Sequence, residues 1–106
     1  MAKYLVQSNY TLDGLKGLLK EGGTGRRKAV EKAVASVGGK VESYYFAFGD
    51  TDVFAIFDFP DNITAAAVSL IVTATGASTP KITVLLTPEE IDAATKMKAD
   101  FRPPGK

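Results

Sequence analysis

The chain of 106 residues contains no cysteine, no histidine and no tryptophan. Without cysteine it can form no disulfide framework, no thiol nucleophile and no zinc–thiolate site. Without histidine it lacks the commonest transition-metal ligand, the axial ligand of a histidine-ligated haem and the base of a Ser-His-Asp triad. A carboxylate site for a hard cation needs a pattern such as D-x-D-x-D-G, and the sequence has none. We therefore expect neither a metal nor another cofactor.

An excess of one charge and a long hydrophobic run are also missing. Lys and Arg number 13 against 12 Asp and Glu, so the net charge of +1 provides no overall field toward nucleic acid or an anionic membrane. The longest apolar stretch, residues 65–77, is interrupted by Ser69, Thr73, Thr75 and Gly76 and is too short to cross a bilayer. The first ten residues lack the apolar core of a signal peptide. We expect a cytoplasmic protein without a nucleic-acid or membrane partner.

What the sequence does contain is typical of one small globular domain. Hydrophobic residues make up 45% and charged residues 24%, and a chain of this length can bury a core of its own. We assign a single domain to residues 1–96 and a polar tail to residues 97–106.

Hydrophobic periodicity and capping residues predict the order β-α-β-β-α-β-α. The strand "KYLVQSNY" precedes a leucine-rich helix that Thr11 caps and "EGG" stops, and a second helical stretch follows, so the first helix is broken in two. "KVESYYFAFG" and "DVFAIFDFP" form a hairpin with "GDT" as its turn, and Asp61 or Asn62 starts the next helix. "KITVLL" is the last strand, and Thr87-Pro88-Glu89-Glu90 is a capping box that opens a short helix. This order is the ferredoxin-like α+β fold.

Two features of this pattern concern packing. The second long helix has an apolar stripe that we expect to face the sheet, and Gly76 ends the helix; the stripe consists of Ile63, Ala67, Leu70, Ile71 and Ala74. The hairpin strands "YYFAF" and "VFAIFDF" have apolar residues at both odd and even positions, which point to opposite faces of the sheet. In a sheet with helices on one face only, apolar and polar residues should alternate along each strand. A second subunit's sheet is the economical cover, which predicts a face-to-face homodimer or a higher homo-oligomer.

Four segments resemble the GYD-domain family of small bacterial proteins. They are "NYTLDGLK", "VGGKVESYYFAFG", "DVFAIFDFPD" and "LTPEE", and the resemblance runs from about residue 4 to residue 91. The naming motif is represented by Gly49-Asp50-Thr51-Asp52, in which Thr51 stands where the family has tyrosine. The resemblance implies a dimeric α/β barrel but no activity, because relatives in that superfamily include cofactor-free monooxygenases, isomerases, haem enzymes and ligand-sensing domains.

The stretch "EGGTGRRKAV" has the composition of a phosphate-binding loop but not its pattern. A Walker loop and a dinucleotide fingerprint both follow a strand, whereas this stretch follows a helix. We interpret it as a helix break with Thr24 as N-cap, and at 100° per residue we expect Arg27 to lean toward the buried face. Arg26 is the best candidate for binding an anion. We expect no binding of ATP or duplex DNA with a dissociation constant below about 100 μM.

The remaining candidates are polar side chains on predicted strands and in the hairpin turn. Gln7 and Asn9 share a parity on the first strand, and we expect them, with Tyr44, to give polarity to a pocket between sheet and helices. Asp52 or Tyr45 is the candidate general base, although turn formation is the more ordinary explanation for Asp50 and Asp52.

Three functions remain open on the sequence. The first is binding of a small apolar or aromatic molecule, the second is a cofactor-independent monooxygenase or isomerase, and the third is a structural or interaction protein without a ligand. A cavity below about 100 Å³ would remove the first two, since small-molecule sites measure roughly 300–1,000 Å³.

Overall fold

The computed structural model describes residues 1–106 and has the predicted order of elements. The elements are β1 (Ala2–Tyr10), α1 (Leu12–Ser36), β2 (Lys40–Phe46), β3 (Val53–Phe59), α2 (Asn62–Ala74), β4 (Ser78–Leu85) and α3 (Pro88–Thr95). The ferredoxin-like α+β fold is therefore confirmed. No helix is long and apolar enough to cross a membrane.

The four strands form one antiparallel sheet in the order β2-β3-β1-β4. In the central strand β1, Tyr4 and Val6 are buried beneath the helices, so the odd-numbered residues point to the opposite, open face. β3 alternates strictly, with Val53, Ala55, Phe57 and Phe59 buried. The helices thus cover one face of the sheet only.

The core is small, because 8 of the 106 residues are buried. The helices contribute Val34 and Ala65 to it, and Tyr4 packs against the ring of Phe59 with 5.6 Å between the ring centroids. The Tyr4 hydroxyl donates to Asn62 Oδ1 at 2.7 Å, which fixes the start of α2 over the first half of β1. All eight buried residues are hydrophobic. The Tyr4 hydroxyl is the polar side-chain group among them, and its bond to Asn62 satisfies it.

Helix α1 is capped and broken as predicted, with the break inside "EGG", but the predicted cap of its second half is misplaced. Thr11 accepts from the Gly14 backbone N–H at 3.2 Å, which is the predicted N-cap. The non-helical residue is Gly22, with φ 79° and ψ 169°, so the predicted cap at Thr24 is wrong by two residues. Glycine adopts this positive φ without steric cost, and the threonine after it continues the second half of the helix.

The predicted hairpin is present, but its turn is longer than "GDT". β2 ends at Phe46 and β3 begins at Val53, and the Ala47 N–H donates to the Asp52 carbonyl at 2.8 Å to close the loop between them. The aromatic run therefore leaves the sheet before its last residue, and Phe48 is fully exposed.

The predicted packing face of α2 is wrong. Asp61 caps this helix by accepting from the Thr64 N–H at 2.8 Å, a bond that lowers the pKa of the Asp61 carboxyl. Ala65 and Val68 face the sheet, whereas Ile63 and Leu70 of the predicted stripe are 81% and 71% exposed. The helix is apolar nearly all round and carries no charge, so its periodicity does not distinguish the two faces.

Candidate functional site

A cavity lies between the two long helices, with the sheet as its floor. Its volume is about 290 Å³, well above the size that excludes a ligand and close to the lower end of small-molecule sites. Val6, Ser8 and Tyr10 of β1 form the middle of the floor, and Tyr44 borders it on β2. The space exists because α1 packs mainly on β2 and α2 on β4, so the helices diverge over the central strands.

The first half of α1 forms one wall of this cavity. Its position depends on Gly14, because the Thr11 N–H donates to the Ala77 carbonyl at 3.0 Å and a Cβ on Gly14 would overlap that same carbonyl oxygen. One turn further, Gly17 borders the cavity, and a Cβ there meets nothing within 4 Å. The wall is therefore fixed tightly at its start and loosely beyond it.

Ser8 supplies a polar group without a partner. Its hydroxyl oxygen is buried and makes no hydrogen bond, and the residue as a whole borders the cavity. A buried hydroxyl that lacks a partner costs roughly 1–3 kcal/mol. Such a group in an otherwise apolar floor is where a ligand's polar atom gains most from binding.

Two tyrosines and one arginine form the polar end of the cavity. Burial raises the pKa of the Tyr44 hydroxyl strongly, the neighbouring Tyr10 hydroxyl raises it further, and the Arg26 guanidinium acts in the opposite direction. Tyr44 therefore remains a neutral donor and acceptor throughout the physiological range. Arg26 Nη1 lies 3.3 Å from Glu21 Oε1, and both residues border the cavity.

The expected lean of Arg27 toward the buried face is wrong. Arg27 is exposed and its Nε lies 3.9 Å from Glu31 Oε1, whereas Arg26 borders the cavity. Arg26 precedes the inward-facing Val30 by four residues, about one helical turn, and it therefore shares the face of Val30.

Of the predicted ligand-binding residues, Tyr44 and Arg26 border the cavity but Gln7 and Asn9 do not. Even-numbered residues of β1 face the helices, so Gln7 and Asn9 lie on the open face of the sheet, beside Asp50 and Lys81. Asn9 Oδ1 accepts from the Asp52 backbone N–H at 3.0 Å, which gives this amide a partner. Their expected place between sheet and helices is therefore wrong.

The two candidate bases also lie away from the cavity. Asp52 Oδ2 accepts from the Tyr10 backbone N–H at 2.9 Å, so this carboxylate ties the end of β1 to the hairpin loop. Tyr45 is 70% exposed on the open face of the sheet. Neither borders the cavity, and no group of three or more histidine, cysteine, aspartate or glutamate side chains is arranged to hold a metal ion.

The sequence analysis missed Ser8 and Tyr10. The signal that finds them is their parity, because they alternate in phase with Tyr4 and Val6 and continue the same buried row. The apolar residues of β1 do not alternate strictly with polar ones, because Leu5 between the buried Tyr4 and Val6 is also apolar although it lies on the open face.

The open face of the sheet is the second surface of interest, and it combines apolar and charged residues. Tyr45 and Phe54 are partners across β2 and β3, and Phe54 is 39% exposed. At one end of this face Lys3 Nζ lies 3.0 Å from both Glu42 Oε1 and Asp58 Oδ1, and these bonds raise the pKa of Lys3.

Comparison with known proteins identifies one family. The model of the GYD domain matches residues 4–95, which is most of the chain. Neither the curated proteins nor the solved structures contain a match.

Proposed function

We propose that this chain, which belongs to the GYD-domain family, binds a small, largely apolar molecule between its helices and its sheet and acts as a homo-oligomer. The observation that carries the binding proposal is Ser8, a residue that borders a cavity of about 290 Å³ and whose buried hydroxyl has no partner. A ligand that accepts or donates one hydrogen bond there relieves the cost of the bare hydroxyl.

The size and lining of the cavity define the class of ligand. An apolar cavity of about 150 Å³ holds benzene, so a volume near 290 Å³ suits one substituted ring. Val6, Val53 and Phe57 suit an apolar body, whereas Ser8 and Tyr44 suit a hydroxyl or carbonyl at one end. A small phenol or aryl ketone has this distribution of groups.

The test uses 4-ethylphenol as the probe and ethylbenzene as its apolar counterpart, with affinity measured by calorimetry. We expect 4-ethylphenol to bind with a dissociation constant below about 1 mM and more tightly than ethylbenzene. Ser8→Ala should weaken the binding of 4-ethylphenol by roughly two- to tenfold, the equivalent of one net hydrogen bond. It should leave the affinity for ethylbenzene unchanged. Without ligand, Ser8→Ala should stabilise the fold because it removes the unpartnered group.

Gln7→Ala is the matched control, since Gln7 is the next residue of the same strand but lies on the open face. Gly17→Leu is the blocking variant, because Gly17 borders the cavity and a Cβ there meets nothing within 4 Å. The binding proposal would be refuted if Ser8→Ala and Gln7→Ala lost equal affinity for 4-ethylphenol, or if the wild type bound neither probe.

The oligomer proposal rests on the open face of the sheet. Tyr45, Phe54 and Ile56 occupy it, and apolar residues in such number need a cover. A second copy's open face buries the same residues on both sides, which closes a twofold dimer. Tyr45→Glu should shift a dimer to monomer in light scattering at micromolar concentration, whereas Lys28→Glu on the helical surface should not. A wild-type monomer whose stability does not fall on dilution would refute this part.

The enzyme alternative, a cofactor-independent monooxygenase or isomerase, requires a base beside the substrate. Asp52 and Tyr45 lie outside the cavity, and we therefore restrict the proposal to binding. We also expect no nucleotide or nucleic-acid partner, because Arg26 and Arg27 diverge and each is near a glutamate of its own helix.

A further inference from the structure

The last segment of the structure is an arm, residues 86–106, that projects from the domain. It begins where β4 ends at Leu85 and contains α3, which has a complete capping box but no buried residue. Every residue from position 88 onward is exposed. Four large apolar side chains of the arm lie in solvent: Leu86 at 59%, Ile91 at 46%, Met97 at 79% and Phe101 at 73% exposure.

The overall dimensions show how much surface the chain leaves uncovered. Its radius of gyration is 17.0 Å, against roughly 13 Å for a compact domain of this length. Its accessible surface is 7686 Å², about 2,000 Å² more than the roughly 5,700 Å² of a compact monomer of this mass. Two chains that each bury this excess form an interface of about 4,000 Å², the size of an obligate homodimer interface.

The arm needs a packing partner to be stable as a helix. Isolated helices shorter than about 12–15 residues are marginal in water, and α3 has 8 residues. Its capping box, in which Glu90 accepts from the Thr87 N–H at 2.9 Å, helps but does not bury Ile91. The helix is therefore built for a contact that a single chain does not make.

A complementary surface exists on the first half of α1. Leu12, Leu15 and Leu19 lie on one side of this helix and are 68%, 44% and 78% exposed. Lys16 and Lys20 lie alongside them, and none of the four ion pairs of the chain uses either lysine. We call these five residues the leucine face.

The charges of α3 and of the leucine face are opposite. α3 carries Glu89, Glu90 and Asp92 and no basic residue, so its acidic side chains match the lysines of the leucine face. The exposed outer face of α2 is also apolar but lacks charge altogether, and it offers α3 no such match.

We propose that the arm of one copy packs on the leucine face of a second copy of this chain. Ile91 lies against the exposed leucines, and the next residue, Asp92, lies beside Lys16 and Lys20. Reciprocal exchange of two arms closes a pair, because the same surfaces are used on both copies. The proposal does not depend on a ligand and stands or falls separately from the cavity.

The cysteine-free sequence permits a direct test by disulfide cross-linking of the full-length chain. Ile91→Cys and Leu19→Cys are placed in separate, differently tagged chains that are co-expressed and then oxidised. We expect a covalent heterodimer, because contact brings the two Cα atoms within the roughly 4.4–6.8 Å that a disulfide spans. The matched control pairs Ile91→Cys with Ile63→Cys, which is equally apolar and 81% exposed on α2.

Each other outcome overturns the proposal. Absence of the Leu19 cross-link means that the arm does not contact this face, and a stronger cross-link to Ile63 places the arm on α2 instead. In a chain that carries both cysteines, closure within one molecule rather than between two means that the arm folds back on its own domain.

A charge exchange adds a readout that folding defects do not imitate. Lys16→Glu with Lys20→Glu should slow the cross-link about fivefold, since the attraction between these lysines and the acidic side chains of α3 becomes a repulsion. Glu89→Lys with Asp92→Lys in the other chain should restore it, and both changes leave Glu90 and its cap intact. Failure of this second pair to restore the rate would count against the proposal.

Discussion

Replacement of Gly14 by alanine tests the position of the α1 wall. Alanine is the better helix former, so helix propensity alone predicts a gain of roughly 0.5–1 kcal/mol. In the structure, however, the new Cβ would overlap the Ala77 carbonyl oxygen and approach the Tyr10 ring at 3.0 Å. The helix must then move and lose the 3.0 Å bond from the Thr11 N–H to that carbonyl. Overpacking of this kind costs roughly 1–3 kcal/mol, so we expect a net loss of about 1–2 kcal/mol.

Gly17→Ala is the control within the same helix, because a Cβ there meets nothing within 4 Å and only the propensity gain remains. Urea unfolding followed by circular dichroism measures both variants, and the midpoint of Gly14→Ala should fall while that of Gly17→Ala rises. At about 4–8 °C per kcal/mol, thermal unfolding should separate the two by roughly 10 °C. A gain in both variants would refute the close approach of α1 to the loop before β4.

Further predictions concern ionisation, capping and packing. Burial raises the pKa of the Tyr44 hydroxyl, so above pH 10 the unfolded chain loses this proton while the folded chain keeps it. The free energy of unfolding should therefore fall as the pH rises, and Tyr44→Phe should remove the part of the fall that this proton causes. Urea unfolding of the wild type and of Tyr44→Phe at a series of alkaline pH values measures this difference. Thr11→Ala should cost about 1 kcal/mol in urea unfolding and Thr24→Ala much less, since Thr11 caps α1 and Thr24 caps no helix. Gly39→Ala should destabilise, because its Cβ would lie 2.7 Å from the Asp58 carbonyl oxygen.

The order of elements was predictable because each boundary has a local chemical cause. Thr11 and Thr87 cap their helices through their own hydroxyls, and Asp61 does so through its carboxylate. These bonds join residues three positions apart, so the sequence alone contains them. The break in α1 was predictable for the same reason, but its exact residue was not, since three glycines stand within four positions and each accepts a positive φ.

The faces of the elements were less predictable, because they depend on residues distant in sequence. Gln7 and Asn9 share a parity, but only the placement of the helices over Tyr4 and Val6 decides which parity is covered. For α2 the same question has no local answer, since both Ala65 on the inner side and Leu70 on the outer side are apolar. The cavity depends on the divergence of two helices, which no short segment encodes.

One element connects the cavity with the proposed exchange of arms. The first half of α1 presents Leu18 to the cavity and Leu19 to solvent, where the arm of a second copy is expected to pack. A contact that holds the outer side of this helix also restricts the wall on its inner side, so less ordering remains to be done when a ligand binds. The affinity for 4-ethylphenol should therefore fall when the protein is diluted below the concentration at which the arms exchange. The variant with Lys16→Glu and Lys20→Glu should lose affinity at a higher protein concentration than the wild type, although neither lysine borders the cavity. An affinity that stays constant across the dilution range in both proteins would separate the two sites and refute this coupling.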